Sequence, residues 1–213
     1  MPEFNRSLPC LLLLALVAAP SAHAAGPTFE ITPFGGYRMG GQFDVQETDD
    51  GKSPSADLQD GGSWGVDLGL YRDPNSYYEL LFSTQSTEVD NNDPTLAGID
   101  VTVDYYQFGG TLLFADEKWM VPYFSFTAGA TMFSADGGYD SDTRFSFSAG
   151  GGLRLPFTDN LAATLGVRGY LTFVETDGQY FCASTGEQAG CLLKSSGSTF
   201  FQGEATLGLT LRF

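Results

Sequence analysis

The sequence predicts an all-β fold, an eight-stranded antiparallel up-and-down transmembrane β-barrel, and three observations carry that expectation. Most of the chain beyond residue 24 alternates apolar and polar residues with a period of two, the pattern of extended segments with two unlike faces. Its connections switch between tight turns and long polar loops, the asymmetry of a barrel crossing a membrane. No later stretch stays apolar for the ~20 residues that a membrane-crossing helix requires.

Residues 1–24 read as a secretory signal peptide. Arg6 gives a short positive start, partly offset by Glu3, and Leu11 to Ala19 is a compact apolar run. Ala22-His23-Ala24 places small residues at the two positions that signal peptidase reads, so cleavage is expected after Ala24. Residues 25–213 then form one barrel domain. Cys10 precedes the apolar run, so it is no lipoprotein acceptor and leaves with the leader. The formal charge of −16 stays with the mature chain, because the removed segment is neutral. Nucleic acid is excluded as a partner, since phosphate binding needs clustered Lys and Arg. Multivalent cations or a basic partner surface fit better.

The strands follow in order. Gly26 to Met39 sets Phe29, Ile31, Pro33 and Tyr37 against Glu30, Thr32, Gly36 and Arg38. Ser63 to Tyr71 sets Trp64, Val66, Leu68 and Leu70 against Gly65, Asp67, Gly69 and Tyr71. Tyr77 to Thr87 sets Tyr78, Leu80 and Phe82 against Glu79, Ser83 and Gln85. Ile99 to Phe114 changes phase: Val101, Val103 and Tyr105 carry the apolar face first, then Tyr106, Phe108, Leu112 and Phe114. That change predicts a β-bulge near Tyr105.

Val121 to Phe133 sets Phe124, Phe126, Ala128, Ala130 and Met132 against Tyr123, Ser125, Thr127, Gly129 and Thr131. Arg144 to Pro156 sets Phe145, Phe147, Ala149, Leu153 and Leu155 against Ser146, Ser148, Gly150, Gly152 and Arg154. Leu161 to Phe173 sets Leu165, Val167 and Leu171 against Thr164, Arg168 and Tyr170. The last strand, Thr199 to Phe213, sets Phe201, Leu207, Leu209 and Phe213 against Gln202, Glu204, Thr210 and Arg212.

Tight turns are expected at 72–76, 115–118 and 157–160, and long loops at 40–62, 88–98, 134–143 and 174–198. The turns belong on the periplasmic side and the loops outside, which puts both termini in the periplasm. A soluble eight-stranded calyx would turn its apolar face inward. The polar face here is instead Gly, Ser and Thr with isolated charges, which suits a narrow lumen. Aromatic residues near strand ends on the apolar face (Tyr37, Trp64, Tyr78, Phe114, Phe124, Phe173, Phe213) fit interfacial girdles.

The ending Gly208-Leu209-Thr210-Leu211-Arg212-Phe213 resembles the terminal strand by which the barrel assembly machinery recognises outer-membrane proteins of Gram-negative bacteria, with Phe213 as the assembly signal. The chain beyond residue 24 resembles the small eight-stranded barrels of the OmpA, OmpX and OmpW class. The resemblance implies a monomer integral to the outer membrane, surrounded by its lipid and lipopolysaccharide.

Enzymatic barrels of that membrane use a histidine, and the one histidine here, His23, lies in the leader. No catalytic residue and no cofactor is expected. The inward charges read as two tiers: Glu30, Glu79, Arg154 and Arg212, with Asp67 a little higher, then Arg38, Arg168 and Glu204. Both tiers mix signs, as a low-dielectric interior demands. Two functions follow: a structural or surface-interaction protein with a salt-bridged, largely plugged lumen, or a narrow conduit for small or apolar solutes. In the conduit, Arg168, Arg154, Glu79 and Glu204 exchange partners. The acidic loops, including Asp90-Asn91-Asn92-Asp93 and 136–142, offer hard oxygen donors for divalent cations, although neither stretch has EF-hand spacing. Cys182 and Cys191 are expected to close a disulfide in the oxidising periplasm.

Overall fold

The computed structural model of the chain describes residues 28–44, 55–90, 100–114, 119–135, 141–174, 179–185, 188–194 and 199–213. The leader, the 115–118 turn and most of the acidic loop residues lie outside them.

Alternation keeps each long segment extended, and neighbours pair antiparallel. The strands are β1 (Phe29–Gly40), β2 (Gln42–Asp44), β3 (Ser55–Leu58), β4 (Gly61–Asp73), β5 (Ser76–Asp90) and β6 (Asp100–Leu113). They continue with β7 (Val121–Ala135), β8 (Asp142–Pro156), β9 (Leu161–Phe173), β10 (Gln179–Thr185), β11 (Gln188–Lys194) and β12 (Thr199–Arg212). Eight of them close a ring in the order β1-β4-β5-β6-β7-β8-β9-β12, with β12 returning to β1. Closure gives the backbone donors and acceptors of every barrel strand a partner on both sides, which an open sheet in lipid could not do.

Two of the expected long loops contain strands of their own. β2 pairs with β3, and β3 with β5, so the first loop continues the sheet beyond the ring. Gly40 and Gly41 carry the chain there with φ of 82° and 113°, the left-handed region that glycine enters without steric cost. The last loop holds the β10–β11 hairpin, in which Cys182 and Cys191 are direct register partners.

The faces are unambiguous. Phe126, Leu165 and Leu207 are 52%, 43% and 60% exposed on the exterior, while Glu79, Arg154 and Glu204 are at most 4% exposed inside. All seven aromatic residues expected in the girdles are exposed on the outer face.

The bulge expected near Tyr105 is absent. Register runs without a shift from Asp100 to Leu112 against β5 and from Val101 to Leu113 against β7. Val101, Val103 and Tyr105 point inward, exposed by 1% or less. The hydropathy phase changes there because the surroundings change while the strand continues straight. On the outer face at that level stand Thr84, Ser86 and Glu88 of β5 beside Asp104, Thr102 and Asp100 of β6, a surface made for water. The loop end of the β5–β6 pair is therefore apolar inside and polar outside, the reverse of the band below it. The one shift in the β4–β5 ladder lies between Tyr71 and Asp73, at the Pro74-Asn75 turn.

Candidate functional site: the charged lumen

Every second residue of each strand faces inward, so eight strands deliver a dense set of side chains to a narrow interior. All eight charged residues expected there point into it. They assemble as three layers and not two.

Nearest the turns, Arg154 donates to both oxygens of Glu30, Nη2 to Oε1 at 2.8 Å and Nη1 to Oε2 at 2.9 Å. Such a two-pronged pair fixes direction as well as charge. The Tyr71 hydroxyl also donates to Glu30 Oε2, at 2.7 Å. Arg212 bonds the Tyr71 hydroxyl, lies over that ring at 4.5 Å and reaches Glu30 Oε2 at 4.0 Å. Gly69 makes the layer sterically feasible, since a Cβ there would meet Glu30 Cγ at 2.5 Å and Tyr77 Cδ2 at 3.0 Å.

In the middle layer Arg168 Nη2 donates to Glu79 Oε1 at 2.5 Å, and Thr111 donates to the other Glu79 oxygen. Arg168 Nη1 bonds Ser148 Oγ at 2.9 Å and Thr127 Oγ1 at 3.4 Å. Glu79 thus belongs with Arg168 and not with the turn-end charges, because its side chain is long enough to reach the next layer. Asp67 faces the same region, and its Oδ1 is buried with no hydrogen-bond partner among the described residues.

The third layer joins the first and last barrel strands. Arg38 Nη2 and Nε donate to Glu204 Oε1 at 2.9 and 3.2 Å, with neither side chain exposed to solvent. Ser83 Oγ donates to the same oxygen at 3.1 Å, and the Tyr170 hydroxyl to Oε2 at 2.6 Å. Tyr105 and Tyr170 stack with centroids 4.0 Å apart, and the Arg38 guanidinium lies 4.9 and 5.2 Å from their centres. Cation–π attraction is strongest in such desolvated settings.

Toward the loops the polarity falls away. Tyr105 donates to Gln202 Oε1 at 2.8 Å, and Gln202 Nε2 to Gln85 Oε1 at 3.2 Å. Beyond them Leu58, Val101, Val103, Phe133, Val174 and Phe200 form an apolar cluster, with Phe133 and Phe200 edge to face at 5.2 Å. Assigning Val101 and Val103 to the exterior hid this cluster. The polar outer neighbours Thr102 and Asp104 were the sequence feature that marked it.

Among the described residues no group of three His, Cys, Asp or Glu is arranged to hold a metal ion. Of the acidic 136–142 stretch, the side chains of 136–140 lie outside the described residues, while Asp142 pairs with Arg144 at 3.4 Å. The Asp90–Asp93 stretch likewise lies outside the side chains described.

No curated protein matches the chain by sequence. Solved structures do match in fold. Neisserial surface protein A is 15% identical with a TM-score of 0.55, over 87% of this chain and 97% of its own. OprG of Pseudomonas aeruginosa is 12% identical with a TM-score of 0.57, over 88% and 96%. Outer membrane protein AlkL, solved in lipid bilayers, is 14% identical with a TM-score of 0.55, over 92% and 96%. At these identities the likeness is one of architecture. The profile of the outer membrane protein beta-barrel domain matches residues 10–213, nearly the whole sequence. With its closed ring, apolar exterior and charged interior, the chain belongs to that family of outer-membrane barrels.

Proposed function

We propose that this protein is a monomeric structural or surface-interaction barrel whose lumen is closed to solutes. The observation that carries the reading is the unbroken stack from Arg212 to Phe200. Three layers of paired charges are followed by a glutamine layer and an apolar cluster, each built from side chains of several strands. The interior of eight strands is only wide enough for side chains or one small ligand, so such a stack leaves no continuous water path. The absence of histidine after residue 24 speaks against a hydrolytic role of the His-dependent kind.

Residues 1–24 act as the cleaved leader, Phe213 is the group read during assembly, and the turns and both termini lie in the periplasm. The long acidic loops meet lipopolysaccharide and its divalent cations at the cell surface. Cys182 and Cys191 close a disulfide there, supported by their register pairing: directly opposed antiparallel residues have Cα atoms about 4.5–5.5 Å apart, inside the roughly 4.4–6.8 Å range that a disulfide spans.

A second reading, a narrow conduit for small apolar solutes, is favoured by one observation: the loop end of the lumen is lined by Val101, Val103, Phe133 and Phe200. Planar bilayer recording on refolded protein separates the two, run with and without divalent cations. The closed barrel gives no steady conductance. Discrete steps that change on charge reversal at Arg168 or Glu204 would replace it with the conduit.

A further inference from the structure

We propose that the turn-end mouth of the lumen is a binding site for a small monocarboxylate that carries a short apolar body. The site lies below the layers that close the lumen, so it goes beyond the function proposed above and does not depend on whether those layers pass solutes.

The first observation is a cavity with fixed walls. About 250 Å3 of space opens at this end, far more than the ~10–15 Å3 that one water needs. Leu113, Val121, Pro156 and Ala162, on inward-facing positions of β6 to β9, line it together with Pro74 of the β4–β5 turn. The rim is held by hydrogen bonds of its own. Arg212 N donates to Asn160 O at 2.9 Å and Asn160 Nδ2 to Arg212 O at 2.8 Å, which ties the 157–160 turn to β12. Across the mouth, Leu113 N donates to Asn75 O at 2.8 Å. A pocket already in place loses little to ordering when a ligand enters.

The second is an excess of positive charge. Arg38 and Glu204 balance one for one. The turn-end layer instead sets Arg154 and Arg212 against Glu30 alone. Glu30 is fully engaged, since Arg154 donates to both of its oxygens and Tyr71 to one of them. Arg212 carries the surplus to the mouth, where its side chain is 38% exposed. Its Nη2 bonds the Tyr71 hydroxyl, while Nη1 and Nε have no hydrogen-bond partner among the described residues. Asp159 also lines the cavity, but it stands on the exposed turn, where salt screens it.

The third is an orphaned donor. Arg154 lines the cavity and is 4% exposed, yet its Nε is buried with no partner among the described residues. A buried donor in that condition costs stability, so an acceptor that reaches it is favoured.

Together these select the ligand. A guanidinium fork matches the two oxygens of a carboxylate, and the apolar walls withdraw a short hydrocarbon body from water. Inorganic phosphate would set charged oxygens against Leu113 and Val121, which offer no side-chain donor. A cation would meet the surplus charge.

The refolded protein, isotope-labelled and held in lipid nanodiscs, is titrated with hexanoate while amide signals are followed by NMR. The signals of residues 158–162, Thr210 and Arg212 should shift and saturate with a Kd of about 1 mM or tighter. Hexanol has the same tail without the charge, and phosphate has charge without the tail. Each should bind at least about tenfold more weakly, a difference of about 1.4 kcal/mol. Arg212→Gln should weaken hexanoate by a similar factor. Ala162→Leu, which fills the cavity and keeps both arginines, should abolish the saturable shift, and Arg144→Gln at the loop end should leave it unchanged. Shifts that never saturate, hexanol or phosphate binding as tightly as hexanoate, or Arg212→Gln without effect would overturn the proposal. Should a variant fail to fold, the salt dependence of the wild type decides. Raising salt from about 0.05 M to 0.5 M should weaken hexanoate several-fold, and binding indifferent to salt would refute the site.

Discussion

Glu204 and Arg38 are register partners across the β12–β1 seam, and they form an ion pair that no solvent reaches. The seam is where the two ends of the ring meet, so closure and charge neutralisation occur at the same place. Glu204 also stands in register with Arg168, but its oxygens are filled before that arginine arrives.

Removing one partner of this pair should be far worse than removing both. Glu204→Gln leaves Arg38 charged and shielded, an expected loss of about 3–5 kcal/mol. Arg38→Met with Glu204→Leu removes both charges and should lose less than either single change. Urea unfolding in lipid vesicles measures the difference. Equal or additive losses would mean that the pair is not isolated from water.

The glycines of the inner face are spacers for particular side chains. Gly69→Ala should cost about 1–3 kcal/mol through overpacking, since the added methyl would press on Glu30 and Tyr77 and loosen the Arg154 pair. Gly62→Ala, where nothing lies within 4 Å of an added Cβ, serves as the contrast and should change little. Heat-dependent migration of the folded barrel on gels compares the two variants.

The Asp73-Pro74-Asn75-Ser76 turn carries a pH dependence of known sign. Hydrogen bonds from the Ser76 hydroxyl and then the Asn75 amide (2.9 Å to Oδ1) lower the Asp73 pKa below its ordinary value. Because the folded value is depressed, the stabilisation is fully present above the ordinary carboxylate range near about 3.9. It is lost as pH falls through the lower folded value. The stability gap between wild type and Asp73→Ala should therefore close as pH drops from 5 toward and below about 3. A constant gap would remove Asp73 from the turn's energetics.

Thiol titration of the unfolded mature protein reports on the last loop. No free thiol is expected before reduction and two after it, with Cys182→Ser freeing the thiol of Cys191. Reactive thiols in the unreduced wild type would refute the disulfide.

Much of the barrel was legible in the sequence because lipid outside and polar groups inside impose a strict period of two. Leu161 to Phe173 came out with the bounds of β9 for that reason. The same rule misled at Val101, Val103 and Tyr105, where the strand passes beyond the apolar band and the meaning of each face reverses. Alternation states that two faces differ, and only the neighbouring strands say which one meets water. The eight expected charges do face inward, but Arg144 and Asp142, in register with buried Thr131 and Phe133 on the same face, were not among them, and the partners were not foreseen. Glu79 sits on β5 and Arg168 on β9, and which carboxylate an arginine reaches depends on stagger around the ring, which no single strand contains. β2 and β3 were too short for a periodic signal, and the seven-residue β10 and β11 do not alternate strictly.

The reversal of polarity along β6 is the claim on which the fold, the lumen and its apolar end all rest. Spin labels placed singly from residue 100 to 114 in vesicles, with accessibility to oxygen and to a water-soluble nickel chelate, test it directly. The expected result keeps the even positions outward throughout, with Thr102 and Asp104 open to nickel, Tyr106 and Phe108 open to oxygen, and Val103 and Tyr105 shielded from both. A slip of phase at Tyr105, with Val101 and Val103 open to oxygen, would contradict it.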